Sequence, residues 1–222
     1  MMRRTVVFDL DGTLADTSGD LLAAANACFD QMGHGSVLDS RDVLVAHEGG
    51  RAMLRVGFDR LGLGWTEADV DAQYPVLLAA YAQAIDVHTR LYPGAVAAVQ
   101  GLLDAGYATA ICTNKPAALA ETLLQRLGIR GMFGALVGAD TLPVRKPDPA
   151  PYIAAVERAG GVVARSMLIG DTETDRLTGR AAGVPVALVT FGPEGTGIAR
   201  LAPEVLLHHF DDLPGIVTKL IG

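Results

Sequence analysis

The chain has 222 residues, half of them hydrophobic, and a mean hydropathy of +0.31. It is long enough to bury a sizeable core, and that composition excludes a disordered chain. A formal charge of −7 argues against nucleic acid or an anionic membrane as partner, since both reward a basic face; a small phosphate-bearing substrate stays open, because local donors can outweigh the global charge.

Short β-branched runs alternate with longer segments of helical period, the pattern of βα units around a parallel sheet. Arg3 and Arg4 precede Thr5–Phe8, but Asp9 interrupts the apolar run after four residues, too soon for a leader peptide. The segment reads as a first, buried strand ending on Asp9 and Asp11. Further strands are expected at Ala108–Thr113, Ala135–Gly138, Met167–Gly170, Val186–Thr190 and Val205–His208. Between them, helices are expected at Ala95–Ala105, Ala117–Leu127, Ala150–Ala159, Glu173–Ala182 and Leu213–Leu220. Gly106, Gly128 and Gly183 stand where three of these helices should stop.

The first interval is out of proportion. From Asp11 to the second strand lie roughly a hundred residues, whereas a crossover needs only about a dozen. The surplus shows helical periodicity at Leu21, Leu22, Ala25, Cys28, Phe29 and Met32, with no convincing strand. The expectation is an α/β protein: a Rossmann-like parallel-sheet core formed by residues 1–16 and 92–222, with an inserted α-helical cap domain at 17–91. No stretch reaches the roughly 18 apolar residues of a membrane span. A soluble, cytoplasmic protein with no membrane partner is expected. Cys28 and Cys112 sit in apolar stretches and read as buried, inert thiols.

In an open α/β sheet the loops after the strands converge on one crevice. Those loops carry Asp9 and Asp11; Thr113, Asn114 and Lys115; Lys146 in VRKPDP; and Asp171 and Asp175 in GDTETD. Acids arriving from separate loops repel one another unless a cation lies between them. An oxygen-only set, without His or Cys, favours Mg²⁺. The Thr113 hydroxyl, the Asn114 N–H at the start of the following helix and the Lys146 ammonium suit a phosphoryl group. Together these describe a phosphoryl-transfer site in which one carboxylate attacks and another handles protons. Lysine is scarce, three against fifteen arginines, which singles out Lys115 and Lys146.

Each piece has a plainer reading when taken alone. Asp11-Gly12-Thr13 fits an ordinary turn. Asp171 and Asp175 fit acids in the first turn of a helix. Lys115, beside a turn fixed by Pro116, fits a solvated side chain as well as a functional one. Their co-occurrence carries the argument.

DLDGT, CTNKP, KPDP and GDTETD, in this order, resemble the four motifs of the haloacid dehalogenase-like hydrolase superfamily. DTSGDLLAAANACF, GGRAML and LYPGAVAAVQGLLDAGY resemble its phosphoglycolate phosphatase-like branch with a helical cap; the residues after Thr190 match less well. The departures are Thr172, where the branch usually has Ser, the stretch HEGGR, and FGPEGTG, which lacks an aromatic after Gly192.

The resemblance implies Asp9 as nucleophile and Asp11 as acid and then base. It implies Mg²⁺ held by Asp9, the Asp11 carbonyl and Asp171, with Asp175 orienting its surroundings. Thr113, Asn114 and Lys146 would hold the phosphoryl oxygens of a small phosphorylated metabolite. In the cap, Arg51 is the candidate for a second anionic group of the substrate, against the plainer reading of a surface arginine; His47 reads as a loop residue and Trp65 as packing. The same motifs serve sugar-phosphate mutases, pyrophosphatases and nucleotidases. No lysine lies between Thr17 and Leu91 to bind a sugar phosphate, which counts against a mutase. A catalytically inactive relative would be expected to have lost Asp9, Asp11 or Asp171, and all three are present.

Overall fold

The computed structural model describes residues 3–62 and 64–222. In chain order the strands and α-helices begin with β1 (Arg3–Phe8), β2 (Ala15–Asp16), α1 (Ser18–Gln31), α2 (Val43–Glu48), α3 (Gly50–Leu61), α4 (Glu67–Gln83) and β3 (Arg90–Leu91). They continue with α5 (Ala95–Asp104), β4 (Ala108–Cys112), α6 (Ala117–Arg126), β5 (Ala135–Val137), α7 (Ala150–Arg158) and β6 (Gly161–Gly170). The last are α8 (Glu173–Ala182), β7 (Val186–Val189), β8 (Val205–Leu207) and α9 (Leu213–Ile221). By its contacts the chain divides into two compact units, Met1–Ala15 with Leu91–Gly222, and Asp16–Arg90. β2 and β3, where the chain passes between them, form a two-stranded sheet.

The first unit is Rossmann-like α/β. Its six strands lie in the order β5-β4-β1-β6-β7-β8, and every neighbouring pair is parallel. Val6, Val7 and Phe8 of β1 and all of β4 are buried, as strands covered on both faces must be. On one face Val7, Ala110, Cys112, Leu168, Val186 and Leu188 pack against Tyr152, Ala155 and Val156 of α7. After β1 the chain builds outward through β4 to β5, then returns to the other side of β1 and builds through β6 to β8. β1 is therefore the switch point, and the loops leaving β4, β1 and β6 share the crevice beyond their carboxyl ends.

Most expected strands end one residue early, because Thr113, Gly138, Thr190 and His208 already turn away. The larger difference is β6, which begins at Gly161 rather than Met167. Its pairing with β1 shifts between Arg3 opposite Gly161 and Thr5 opposite Ser166. The intervening residues include exposed Ala164 and Arg165, so no alternation of apolar side chains marks them as strand.

The second unit holds α1 to α4, and no strand beyond its two boundary residues among the described ones. Phe29 meets Phe58 edge to face at 5.5 Å, and Trp65 stacks on Phe58 at 6.1 Å while its Nε1 donates to Asp59. These geometries are worth more than area alone. Buried Asp20 accepts from the N–H groups of His88 and Thr89, each at 2.8 Å, and from the Thr89 hydroxyl at 2.7 Å, which ties the start of this unit to its end. Among the described residues, no helix is long and apolar enough to cross a membrane. Burial pushes the Cys28 thiol up to about 11 and the Cys112 thiol up to about 12, so neither is a thiolate near neutrality.

Candidate active site

Three strand ends and one loop supply the site. Asp9 follows β1 directly, and its N–H still donates to the Ile169 carbonyl of β6 at 2.9 Å. The chain then reverses. The N–H groups of Leu14 and Ala15 return to the Leu10 carbonyl at 3.0 and 3.2 Å, with Gly12 at φ +77°, a value glycine adopts without strain. This turn brings Asp11 back beside the strand end and sets the Thr13 hydroxyl to donate to Asp171 Oδ1 at 2.8 Å.

Asp171 follows β6, and Asp175 lies one helical turn further on, in α8. Thr172 and Asp175 form a capping box: the Asp175 N–H donates to the Thr172 hydroxyl oxygen, and the Thr172 N–H donates to Asp175 Oδ2. The Thr standing where the related branch has Ser therefore keeps the hydroxyl's work. Gly170 is what lets this carboxylate lie under the strand end, since a Cβ there would come 2.3 Å from the Asp175 carboxyl carbon. One carboxylate oxygen each from buried Asp9, Asp171 and Asp175 lies within 4.8 Å of the others.

Lys146 is buried among these acids, 3.1 Å from Asp9 Oδ1 and donating to Asp175 Oδ1 at 2.6 Å. Burial by itself would lower its pKa, but the Asp175 and Asp9 carboxylates more than offset this and hold it above the ordinary value. Burial, opposed by Lys146 and aided by the Asp175 and Asp11 charges, raises Asp9 to about 6. Burial and then the neighbouring charges of Asp9 and Asp175 hold Asp171 well above the usual carboxylate range, against the Thr13 hydrogen bond. The raised acids express burial first, with repulsion within the acid cluster adding to it.

From β4 come Thr113, buried at the strand end, and the two residues after it. The sequence places the Asn114 N–H at a helix start, but α6 starts at Ala117 behind Pro116, and the Ala117 N–H donates to Asp140 Oδ1 at 2.8 Å. The expected helix start at Asn114 is thus corrected: its N–H lies in the turn before α6 rather than in the first turn of the helix. Asn114 is exposed, and its side-chain amide donates to the Lys146 carbonyl at 3.0 Å, bracing one site loop on another. Lys115 is not solvated: it is buried, and its ammonium donates to Asp11 Oδ1 at 2.7 Å.

Asp9, Asp11, Thr113, Lys146 and Asp171, from loops of the α/β unit, and Asp175, from the first turn of α8, thus belong to one unit, while Arg51 lies in the helical unit. There its Nη1 pairs with Asp71, and its guanidinium lies 4.4 Å from the centroid of the Tyr74 ring. Sequence reasoning passed over Thr13 and left Lys115 undecided. The signal for Lys115 was its rarity in a chain that otherwise uses arginine.

The arrangement defines a Rossmann-like α/β hydrolase in which lysine-anchored carboxylates meet at the switch point of a parallel sheet. The chain belongs to the haloacid dehalogenase-like hydrolase family, whose model matches residues 6–189. A phosphoglycolate phosphatase of Agrobacterium fabrum is 36% identical over 217 residues, covering 97% of this chain and 93% of that one. A phosphoglycolate phosphatase of Xanthomonas campestris pv. campestris is 38% identical over 189 residues, covering 85% of this chain and 84% of its own. The crystal structure of a predicted phosphoglycolate phosphatase from Haemophilus somnus 129PT has the same fold, with a TM-score of 0.84 at 24% identity over 97% of this chain and 98% of that one.

Proposed function

We propose that this hydrolase is a Mg²⁺-dependent phosphatase of small phosphomonoesters, with 2-phosphoglycolate as substrate, working through an aspartyl-phosphate on Asp9. The observation that carries this is the meeting of the buried Asp9 and Asp171 carboxylates beside the Lys146 ammonium.

The donor set fits the ion. It is all oxygen, as Mg²⁺ prefers, and the three acids Asp9, Asp171 and Asp175 gather around one ammonium, Lys146, an excess of negative charge that a divalent cation would balance. Asp175 is engaged by Lys146, by Thr172 and by the Asp171 and Thr172 N–H groups, so it suits holding its neighbours in place. Asp9, the Asp11 carbonyl and Asp171 would hold the metal. Bound there, Mg²⁺ would offset the charge of an incoming phosphoryl dianion.

Asp9, ionised near neutrality with a pKa of about 6, attacks phosphorus. The Asp9–phosphorus bond forms as the bond to the leaving oxygen breaks, and Asp11 gives that oxygen its proton. Asp11, now a carboxylate, takes a proton from water; the hydroxide oxygen bonds to phosphorus and the bond to Asp9 breaks. Asp11 ends protonated, as it began, with the alcohol and inorganic phosphate released. Thr113 accepts the Lys115 N–H at 3.1 Å, which turns its own hydroxyl hydrogen outward toward a phosphoryl oxygen, and Lys146 adds positive charge there. Residues 17–91 take the role of the cap, and Arg51 that of the partner for the substrate's carboxylate. A cytoplasmic location goes with this reading.

The test is phosphate release from 2-phosphoglycolate. EDTA should stop it and Mg²⁺ restore it; restoration by Zn²⁺ and not by Mg²⁺ would overturn the metal assignment.

A further inference from the structure

We propose that Lys115 is a positioning residue for the proton-transfer step: its ammonium fixes the Asp11 carboxyl group at the place where the leaving oxygen, and then water, exchange a proton with it. This rests on the phosphatase reading and assigns to the Lys115 side chain a task within that site beyond what the reading asks of its backbone N–H.

The two carboxylates that follow β1 are each given an ammonium, and the two ammoniums come from different loops. Asp9 has Lys146 at 3.1 Å and Asp11 has Lys115 at 2.7 Å. Both lysine side chains are almost fully buried, at 4% exposure for Lys115 and 2% for Lys146, although burying an ammonium is unfavourable unless it is paired. Only three lysines occur in the chain, so two of the three are spent here.

The backbone of Lys115 is tied at both ends. Its N–H donates to the Thr113 hydroxyl oxygen, and its carbonyl accepts the Ala139 N–H at 3.0 Å. Pro116, at φ −52°, then leads the chain into α6. The end of β5 closes against this turn so tightly that a Cβ on Gly138 would lie 2.8 Å from the Lys115 carbonyl oxygen and 2.5 Å from the Ala117 nitrogen. Lys115 is thus a fixed post. Asp11, by contrast, has a rigid backbone in the turn after β1 but a carboxylate at the end of a rotatable side chain, one-fifth exposed.

That difference matters for the chemistry. General acid or base transfer needs donor and acceptor within hydrogen-bond reach, and a misplacement of about 1 Å can cost about 10²-fold in rate. A charge-assisted hydrogen bond from a fixed, buried ammonium removes that freedom before substrate arrives. Asp9 needs no such help from Lys115, because its own N–H remains in the sheet ladder.

Leaving groups separate this role from a merely structural one. The alkoxide of 2-phosphoglycolate needs a proton to depart, whereas nitrophenolate departs without one. Both substrates need a base for the water that cleaves the aspartyl-phosphate. With the full chain and saturating Mg²⁺, Lys115→Met should lower kcat on 2-phosphoglycolate about 10- to 10²-fold with KM within about twofold. On p-nitrophenyl phosphate it should leave the pre-steady-state burst of nitrophenolate within about threefold of wild type but slow the steady rate that follows. Lys115→Arg, which keeps the charge and the donors, should recover most of both losses and serves as the working variant if the Met substitution unfolds the protein. An equal fall in burst and steady rate, a rise in KM alone, an Arg variant as impaired as Met, or no effect would each overturn the proposal. Asp9→Asn is the control. If it abolishes the burst while Lys115→Met changes neither phase, the phosphatase reading stands and the role of Lys115 falls; if wild type gives no turnover, both fall.

Discussion

The two units use charge differently. In the α/β unit the site's charged side chains are buried and bonded across long separations in sequence: Lys115 to Asp11, Lys146 to Asp9 and Asp175, Thr13 to Asp171. In the helical unit Arg51–Asp71 and Arg55–Glu67 are exposed pairs, 20 and 12 residues apart in sequence. Buried, mutually dependent charges are unfavourable to maintain and shift one another's pKa values; exposed pairs contribute little and are readily exchanged. On the proposed function, the proton and phosphoryl chemistry is therefore carried by the buried charges of the first unit, and the second unit contributes at most an exposed arginine.

The contrast is tested most severely at Asp9. Asp9→Asn should lower hydrolysis of an aryl phosphate by about 10³-fold or more, measured as phosphate release at saturating Mg²⁺. A variant within tenfold of wild type would remove the nucleophile assignment. The same variant exposes what the cluster costs the fold. Asp9 ordinarily titrates near 3.8 but is raised to about 6 by burial, working against Lys146. An acid whose folded pKa lies above its unfolded one stabilises the fold at pH values below the unfolded pKa, and that contribution is lost as pH rises through the folded pKa. In EDTA, the melting temperature of wild type minus that of Asp9→Asn should thus fall between about pH 4 and pH 7. Mg²⁺ should narrow the gap at neutral pH. A difference that stays flat across that range would mean that the buried charge on Asp9 is not a burden on the fold.

How much of this is legible in sequence follows from the same contrast. Val6-Val7-Phe8 running into Asp9 announces a buried strand with a charged end, because burial on both faces leaves an unbroken apolar run. The meeting of Asp9 with Asp171 is legible because strand-end loops in a parallel sheet must converge. The start of β6 is not: a register shift and exposed Arg165 erase the pattern. Nor is the orientation of Lys115, since whether a side chain beside Pro116 turns inward depends on what β5 packs against, a fact of the tertiary structure alone. Asn114 shows a different limit. Its N–H reads as the start of the next helix, yet Pro116 delays α6 to Ala117, while the Asn114 side-chain amide donates to the Lys146 carbonyl.

Arg51 is the least legible, and its test has the mildest expected effect. Its ion pair joins groups 38% and 64% exposed, a class of contact worth about 0–1 kcal/mol, so removing it should barely move the melting temperature. That mildness makes the variant informative, because a change in binding would not be masked by unfolding. Arg51→Ala should raise KM for 2-phosphoglycolate about tenfold, the scale of one lost charge-assisted hydrogen bond, and leave KM for p-nitrophenyl phosphate, which has no carboxylate, within about twofold. Equal changes for both substrates, or none for either, would return Arg51 to its pairing with Asp71 and its stacking on Tyr74. Recognition of the carboxylate would then have to be sought among the residues of the α/β unit, where the other charged groups of the site already are.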